Sequence, residues 1–105
     1  MWIVSGINLS MVEGDYGLEL PITINGTEFT ANDSIRITLK NAKNGTELLV
    51  KEYTPENKEI KLVLTEAESA LFPVGNYVYS LDWYQDGNFM CNIIPVASFK
   101  VVDKA

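Results

Sequence analysis

Apolar and polar residues alternate with a period of two along most of the chain, and this pattern is typical of strands that bury one face. The clearest run is residues 34–40, in which Ile35, Ile37 and Leu39 alternate with polar residues. Comparable runs cover residues 7–11, 18–24, 48–53, 60–64, 77–84, 88–94 and 97–102. Because turn residues separate the runs, the alternation predicts an all-β chain of about eight strands.

The residues between these runs predict how the strands are joined. Residues 44–45 (Asn-Gly) and 86–87 (Asp-Gly) suit tight hairpin turns, so residues 34–53 and 77–94 are each predicted to form a hairpin. Thr65 and Glu68 match a capping box, which predicts a short helix over residues 66–71 that crosses from one sheet to the other. With no longer crossover available, we expect the strands to pair antiparallel.

Two prolines and the single cysteine allow further predictions about the strands in which they lie. Pro21 has no N–H to donate, so its strand is expected either to lie at a sheet edge or to be locally irregular. Pro95 is expected to interrupt the strand pattern between residues 94 and 97. Cys91 lies in an apolar stretch and is interpreted as a small buried side chain.

Length and charge limit the class of protein. The chain has 105 residues, of which 47% are hydrophobic, so we expect a single domain, residues 1–105, with its own core. Its net charge is −6, and its eight basic residues are scattered. Nucleic acids and anionic membrane surfaces are therefore disfavoured as partners.

The composition also argues against an enzyme. The chain has no histidine and one cysteine, so the sequence predicts no catalytic residues, no metal site and no cofactor. Two carboxylate pairs, Glu13 with Asp15 and Asp82 with Asp86, are interpreted as solvated loop residues. The N-terminus lacks the features of a signal peptide, and no apolar run is long enough to span a membrane, so we expect synthesis in the cytoplasm without membrane insertion.

Aromatic residues are the strongest candidates for binding. Tyr77, Tyr79, Leu81 and Trp83 share one strand face and are expected to lie in the core. Trp2 is expected either to cap the core or to anchor a partner. The candidate interface aromatics are Trp2, Tyr16, Tyr53 and Tyr84.

Residues 71–79 resemble the corner before a central strand in immunoglobulin-like and fibronectin-type domains. In such domains a Gly-x-Tyr places a tyrosine whose hydroxyl bonds back to the preceding loop. The resemblance implies a tyrosine corner formed by Gly75 and Tyr77. It also implies an antiparallel, two-sheet immunoglobulin/fibronectin-like β-sandwich.

A wider pattern of turns resembles small phage and prophage structural proteins, in particular the N-terminal domain of upper baseplate proteins. The matching segments are Gly14-Asp15, residues 32–40, Gly75-x-Tyr77-x-Tyr79, Asp86-Gly87 and Phe99-x-Val101. The resemblance implies a tail or baseplate protein that is incorporated into a virion and binds other protein subunits, including copies of itself. The alternative hypothesis is a module that binds carbohydrates or cell surfaces through its exposed aromatics.

Overall fold

The chain is all-β, as the alternation predicts. The computed structural model describes residues 2–25, 29–43 and 45–103, which form eight strands and one short helix. The strands are β1 (Trp2–Ser5), β2 (Asn8–Val12), β3 (Leu20–Thr23), β4 (Asp33–Lys40), β5 (Glu47–Tyr53), β6 (Glu59–Leu62), β7 (Gly75–Gln85) and β8 (Asn88–Val102). The helix α1 (Glu66–Ser69) lies between β6 and β7.

The strands form one large and one small sheet. The large sheet has the order β1-β2-β8-β7-β4-β5, and the small sheet pairs β3 with β6. The predicted antiparallel hairpins β4–β5 and β7–β8 are both confirmed. Asp86 and Gly87 have φ angles of 51° and 80°, which the two-residue turn between β7 and β8 requires. Asn44, part of the other predicted turn, lies outside the described residues.

The expectation that all strands pair antiparallel is wrong for one pair. β2 runs parallel to β8, with Leu9 opposite Phe99 and Val12 opposite Val102. A parallel pair needs a long connection, and here most of the chain lies between the two strands. Turn patterns report only on neighbours along the chain, so they could not show this pairing.

The number of strands agrees with the prediction, but two of the strands differ from the predicted ones. β1 was not predicted, and the expected break at Pro95 is absent because Pro95 lies within β8. Tyr79 pairs with Ala97 and Leu81 with Ile94, so β8 carries one extra residue between these pairs. Pro95 lies in the resulting bulge, where a residue without an N–H is tolerated.

The helix forms where the capping box predicts it, although it ends two residues earlier. The Thr65 hydroxyl accepts a hydrogen bond from Glu68 N at 3.2 Å, and Glu68 Oε1 accepts one from Thr65 N at 2.8 Å. Glu68 Oε1 also accepts a hydrogen bond from Lys51 Nζ at 2.8 Å. Burial acts to raise the pKa of Glu68, but these hydrogen bonds outweigh burial and hold the pKa below its ordinary value.

Both sheets contribute to the hydrophobic core. The small sheet supplies Leu20, Ile60 and Leu62, and the large sheet supplies the predicted row Ile35, Ile37 and Leu39. Of the predicted aromatic face, Tyr79 and Leu81 are buried, whereas Tyr77 and Trp83 pack against the core and are partly buried. Phe99 is completely buried and contacts the rings of Trp2, Phe72 and Tyr77.

Asp33, which directly precedes the clearest run of alternation, is a buried acid at the start of β4. It is only 1% exposed. Its carboxylate accepts hydrogen bonds from Thr30 N at 2.6 Å and from Trp83 Nε1 at 2.9 Å. The backbone hydrogen bond from Thr30 is the main reason that its pKa lies below the ordinary value, against the opposing effect of burial.

Candidate functional site

The four candidate aromatics do not form one platform. Tyr84 lies opposite Ser34 in the large sheet, whereas Tyr53 lies opposite Ile35. Since neighbours along a strand point to opposite faces, Tyr53 lies on the core face and Tyr84 on the outer face. Tyr16 lies in the loop between β2 and β3 and is 53% exposed.

Trp2 takes the core-capping role rather than that of an exposed anchor. Its ring is partly buried and packs against the core, with its centroid 6.0 Å from that of Phe99. Its Nε1 donates a hydrogen bond to the Leu18 carbonyl at 3.0 Å. Both ends of the indole therefore have partners within the chain.

On the outer face, Tyr84 forms a stacked row with Arg36 and Phe89. The Arg36 Cζ lies 4.1 Å from the Tyr84 ring centroid, and its Nη1 donates to the Tyr84 hydroxyl at 3.0 Å. On the other side of Tyr84, the Phe89 ring centroid is 5.7 Å away. Glu52 accepts a hydrogen bond from Arg36 Nη2 at 3.1 Å. Hydrogen bonds and stacking therefore fix the position of the guanidinium group.

The end of β8 next to this row exposes apolar side chains. Phe89 is 53% exposed, Met90 is 46% exposed, and Cys91 is also exposed. The expectation that Cys91 is buried is therefore wrong. β2 pairs with β8 only from Phe99 to Val102. Along residues 88–98, no described strand pairs with the edge of β8 that faces away from β7.

We call Arg36, Tyr84, Phe89 and Met90 the hairpin surface, and Cys91, which pairs with Trp83, adjoins it. Aromatic residues, methionine and arginine are the types enriched in protein interfaces. No charged residue occurs between Asp86 and Lys100, so the β8 part of this surface is uncharged. Sequence reasoning missed Phe89 and Met90 because alternation shows that a strand has two faces but does not show where its covering layer ends.

The free edge of β8 is poorly suited to pairing with another strand. Along the β7–β8 ladder, three register shifts each place an extra residue on β8. Bulges and prolines at an edge disfavour edge-to-edge pairing, and β8 has both. Contacts at the hairpin surface would therefore be made by side chains.

β3 lies at a sheet edge, as predicted. Its free edge is also poorly suited to pairing with another strand. β3 pairs only with β6 among the described strands. Ile24 N donates to Lys58 O at 2.7 Å, and Leu20, Ile22 and Ile24 share the same orientation along the strand. The nitrogen of Pro21 consequently faces the free edge, where it provides no donor.

Tyr53 lines a cavity between β5 and β6. The cavity has a volume of about 340 Å³. It is bounded by Tyr53, Ile60 and five polar residues, Thr54, Glu56, Asn57, Glu59 and Lys61. The Tyr53 hydroxyl accepts a long hydrogen bond from Val63 N at 3.4 Å, so the ring is partly buried and anchored.

Tyr77 has the hydrogen bond that a tyrosine corner requires. Its hydroxyl donates to the Pro73 carbonyl at 2.6 Å. Burial, with a smaller contribution from the charge of Glu13, raises the pKa of Tyr77 above its ordinary value. A Cβ added to Gly75 would lie 3.7 Å from the Tyr77 hydroxyl, an ordinary contact distance, so packing at this point does not require glycine.

Replacing Tyr77 with phenylalanine is expected to lower the free energy of unfolding by about 1 kcal/mol, since the ring stays and one hydrogen bond is lost. Urea unfolding followed by tryptophan fluorescence measures the change. Tyr16→Phe is the matched control, because Tyr16 is exposed in a loop. Equal effects of the two substitutions on the free energy of unfolding would show that the Tyr77 hydroxyl does not stabilise the fold more than an exposed tyrosine hydroxyl does.

The carboxylate pairs considered above contact other groups. Glu13 Oε2 accepts a hydrogen bond from Val74 N at 3.1 Å, and Asp82 accepts one from the Asn92 side chain. Over residues 2–25, 29–43 and 45–103, no three His, Cys, Asp or Glu side chains come together as a potential metal site. Within the same residues, no helix has the length and apolar character needed to cross a membrane.

Comparison with protein-family models, with curated proteins and with solved structures finds no match to this chain.

Proposed function

We propose that this chain is a non-enzymatic structural module that works by protein–protein assembly through its hairpin surface. The observation that carries the proposal is the exposure of Phe89 and Met90 beside the ordered Arg36–Tyr84 pair. Exposed apolar residues next to a fixed arginine and tyrosine are the usual components of an interface hot spot.

We propose that the module has an immunoglobulin-like β-sandwich fold. Two features support this: both sheets contribute to one core, and the Tyr77 hydroxyl bonds back to the preceding loop. In this fold, the outer face of the large sheet would remain free to contact a neighbouring subunit.

We further propose assembly by packing of side chains rather than by strand addition. Pro21 blocks the edge of β3, and bulges distort the edge of β8. The proposed partner is a second copy of the same chain. The uncharged β8 segment would allow two chains of net charge −6 to meet without bringing like charges together.

The sequence resemblance to phage and prophage structural proteins supports a place in a tail or baseplate. Genes for tail or capsid proteins next to the gene for this chain would support that placement. A neighbourhood of metabolic genes would count against it.

Cross-linking from Cys91, which adjoins the hairpin surface, tests the proposal. Cys91 is the only thiol of the chain and is exposed, so a maleimide–benzophenone group can be attached there alone. Illumination of the full-length protein is expected to give covalent adducts with other copies or with co-expressed products of adjacent genes. The matched control carries the probe at residue 16, in a Tyr16→Cys/Cys91→Ser variant.

Adducts that form from residue 91 and not from residue 16 would support the hairpin surface as the interface. Absence of adducts from residue 91, or equal yields from both positions, would contradict the proposal.

A further inference from the structure

We infer that the cavity beside Tyr53 is a binding site for a neutral sugar residue. This inference is independent of the assembly proposal because it concerns the connection between β5 and β6 rather than the hairpin surface. Four of the five polar side chains of its wall have no partner within the described residues, and they lie next to an anchored aromatic ring.

The wall is held in shape by a tight turn over residues 56–59. Glu56 N donates to Glu59 O and Glu59 N donates to Glu56 O, each at 2.9 Å. Asn57 and Lys58 occupy the turn with φ angles of 52° and 64°. Two consecutive residues other than glycine in the left-handed region carry a conformational cost, and such a cost is often retained at binding sites.

The polar groups on this wall are available to a ligand. Across the part of the chain that the structure describes, the side chains of Thr54, Glu56, Asn57 and Glu59 make no hydrogen bond and no ion pair. Lys61 has only a long, exposed ion pair with Glu19, at 3.8 Å. These side chains offer carboxylate acceptors, an amide with both donor and acceptor atoms, and a hydroxyl.

Chemistry and size together favour a sugar. Sugar hydroxyl groups can both donate and accept, which matches the mixed set of wall groups, and the C–H face of a sugar ring can pack against the apolar Tyr53 ring. Ligand pockets begin at roughly 300 Å³. A cavity of about 340 Å³ therefore suits one ring rather than an extended chain.

The charges of the wall disfavour an acidic ligand. Glu56 and Glu59 give the wall two negative charges, which disfavour a sugar acid. The Lys61 ammonium group offsets part of this field, and screening by solvent weakens the remainder at an exposed site. We therefore expect an amino sugar to bind no more tightly than a neutral sugar.

Nuclear magnetic resonance titration of the ¹⁵N-labelled full-length chain tests this inference. The probes are the methyl glycosides of glucose, galactose and mannose, together with N-acetylglucosamine, glucosamine and glucuronate. At least one neutral probe is expected to shift amide resonances within residues 53–61, with a Kd of about 1–10 mM. Neutral probes are expected to bind more tightly than glucuronate and at least as tightly as glucosamine.

An Asn57→Gly/Glu56→Ala variant removes two wall groups with little cost to folding. Both side chains are exposed and without partners, and glycine suits the positive φ of residue 57. Binding is expected to weaken about fivefold or more as these hydrogen bonds are lost. Glu47→Ala is the control, since it makes the same change in charge at the other end of β5.

Three results would each overturn the inference: no shift within residues 53–61 at about 20 mM of any neutral probe, unchanged binding by the double variant, or preferential binding of glucosamine or glucuronate.

Discussion

Replacing Phe99 with alanine is expected to lower the free energy of unfolding by about 4 kcal/mol. Phe99 has no exposed surface, and its ring lies 5.3 Å from that of Phe72 and 6.0 Å from that of Tyr77, measured between centroids. Its loss would leave a cavity lined by rigid aromatic rings, which cannot collapse easily. Chemical unfolding followed by circular dichroism measures the change.

Phe89→Ala is the matched control for this substitution. Phe89 lies on the same strand, but 53% of its surface is exposed. Truncation there is expected to change the free energy of unfolding by no more than about 0.5–1 kcal/mol, since few core contacts are lost. Similar costs at the two positions would contradict the division of β8 into a buried end and an exposed end.

Replacing Asp33 with alanine is expected to lower the free energy of unfolding by about 3 kcal/mol, because the donors of two part-buried hydrogen bonds lose their carboxylate acceptor. These donors are Thr30 N and Trp83 Nε1. Asp33→Asn keeps one acceptor oxygen and is expected to cost less. If the hydrogen bond to Trp83 is responsible, the effects of Asp33→Ala and Trp83→Phe will be less than additive in a double-mutant cycle.

The contribution of Asp33 to the free energy of unfolding should also depend on pH. Its pKa in the folded chain lies below the ordinary value of 3.8, so the folded state favours the charged form. The resulting stability is fully present above pH 3.8, and it is lost as the pH falls through the lower folded-state pKa. The difference in stability between the natural chain and Asp33→Asn should therefore shrink below that pH. A constant difference across that range would contradict this account.

The fold could be predicted from sequence wherever a local pattern determines it. The row Ile35, Ile37 and Leu39, the turn at Asp86–Gly87 and the capping box at Thr65 all depend on residues close together in the chain. The parallel pairing of β2 with β8 depends on residues about 90 positions apart, and no local pattern encodes such a contact.

The candidate sites were less predictable because exposure depends on which layer covers a strand. Cys91 lies in an apolar stretch, yet it is exposed near the hairpin end of β8, beyond the part of β8 that pairs with β2. Asp33 directly precedes a strand pattern, and its burial beside Trp83, a residue 50 positions further along the chain, has no local sequence signal. Tyr53 and Tyr84 were both predicted as interface aromatics, and only the sheet register shows that they lie on opposite faces.

The most direct test of the central proposal is to measure the mass of the protein in solution after two matched pairs of substitutions. Phe89→Ser/Met90→Ser removes side chains that are 53% and 46% exposed, and Tyr16→Ser/Leu18→Ser removes side chains that are 53% and 47% exposed elsewhere. Light scattering over increasing concentration is expected to show association of the natural chain and of the Tyr16/Leu18 variant, but not of the Phe89/Met90 variant. A natural chain that stays monomeric throughout, or a Phe89/Met90 variant that associates as strongly as the natural chain, would contradict assembly through the hairpin surface.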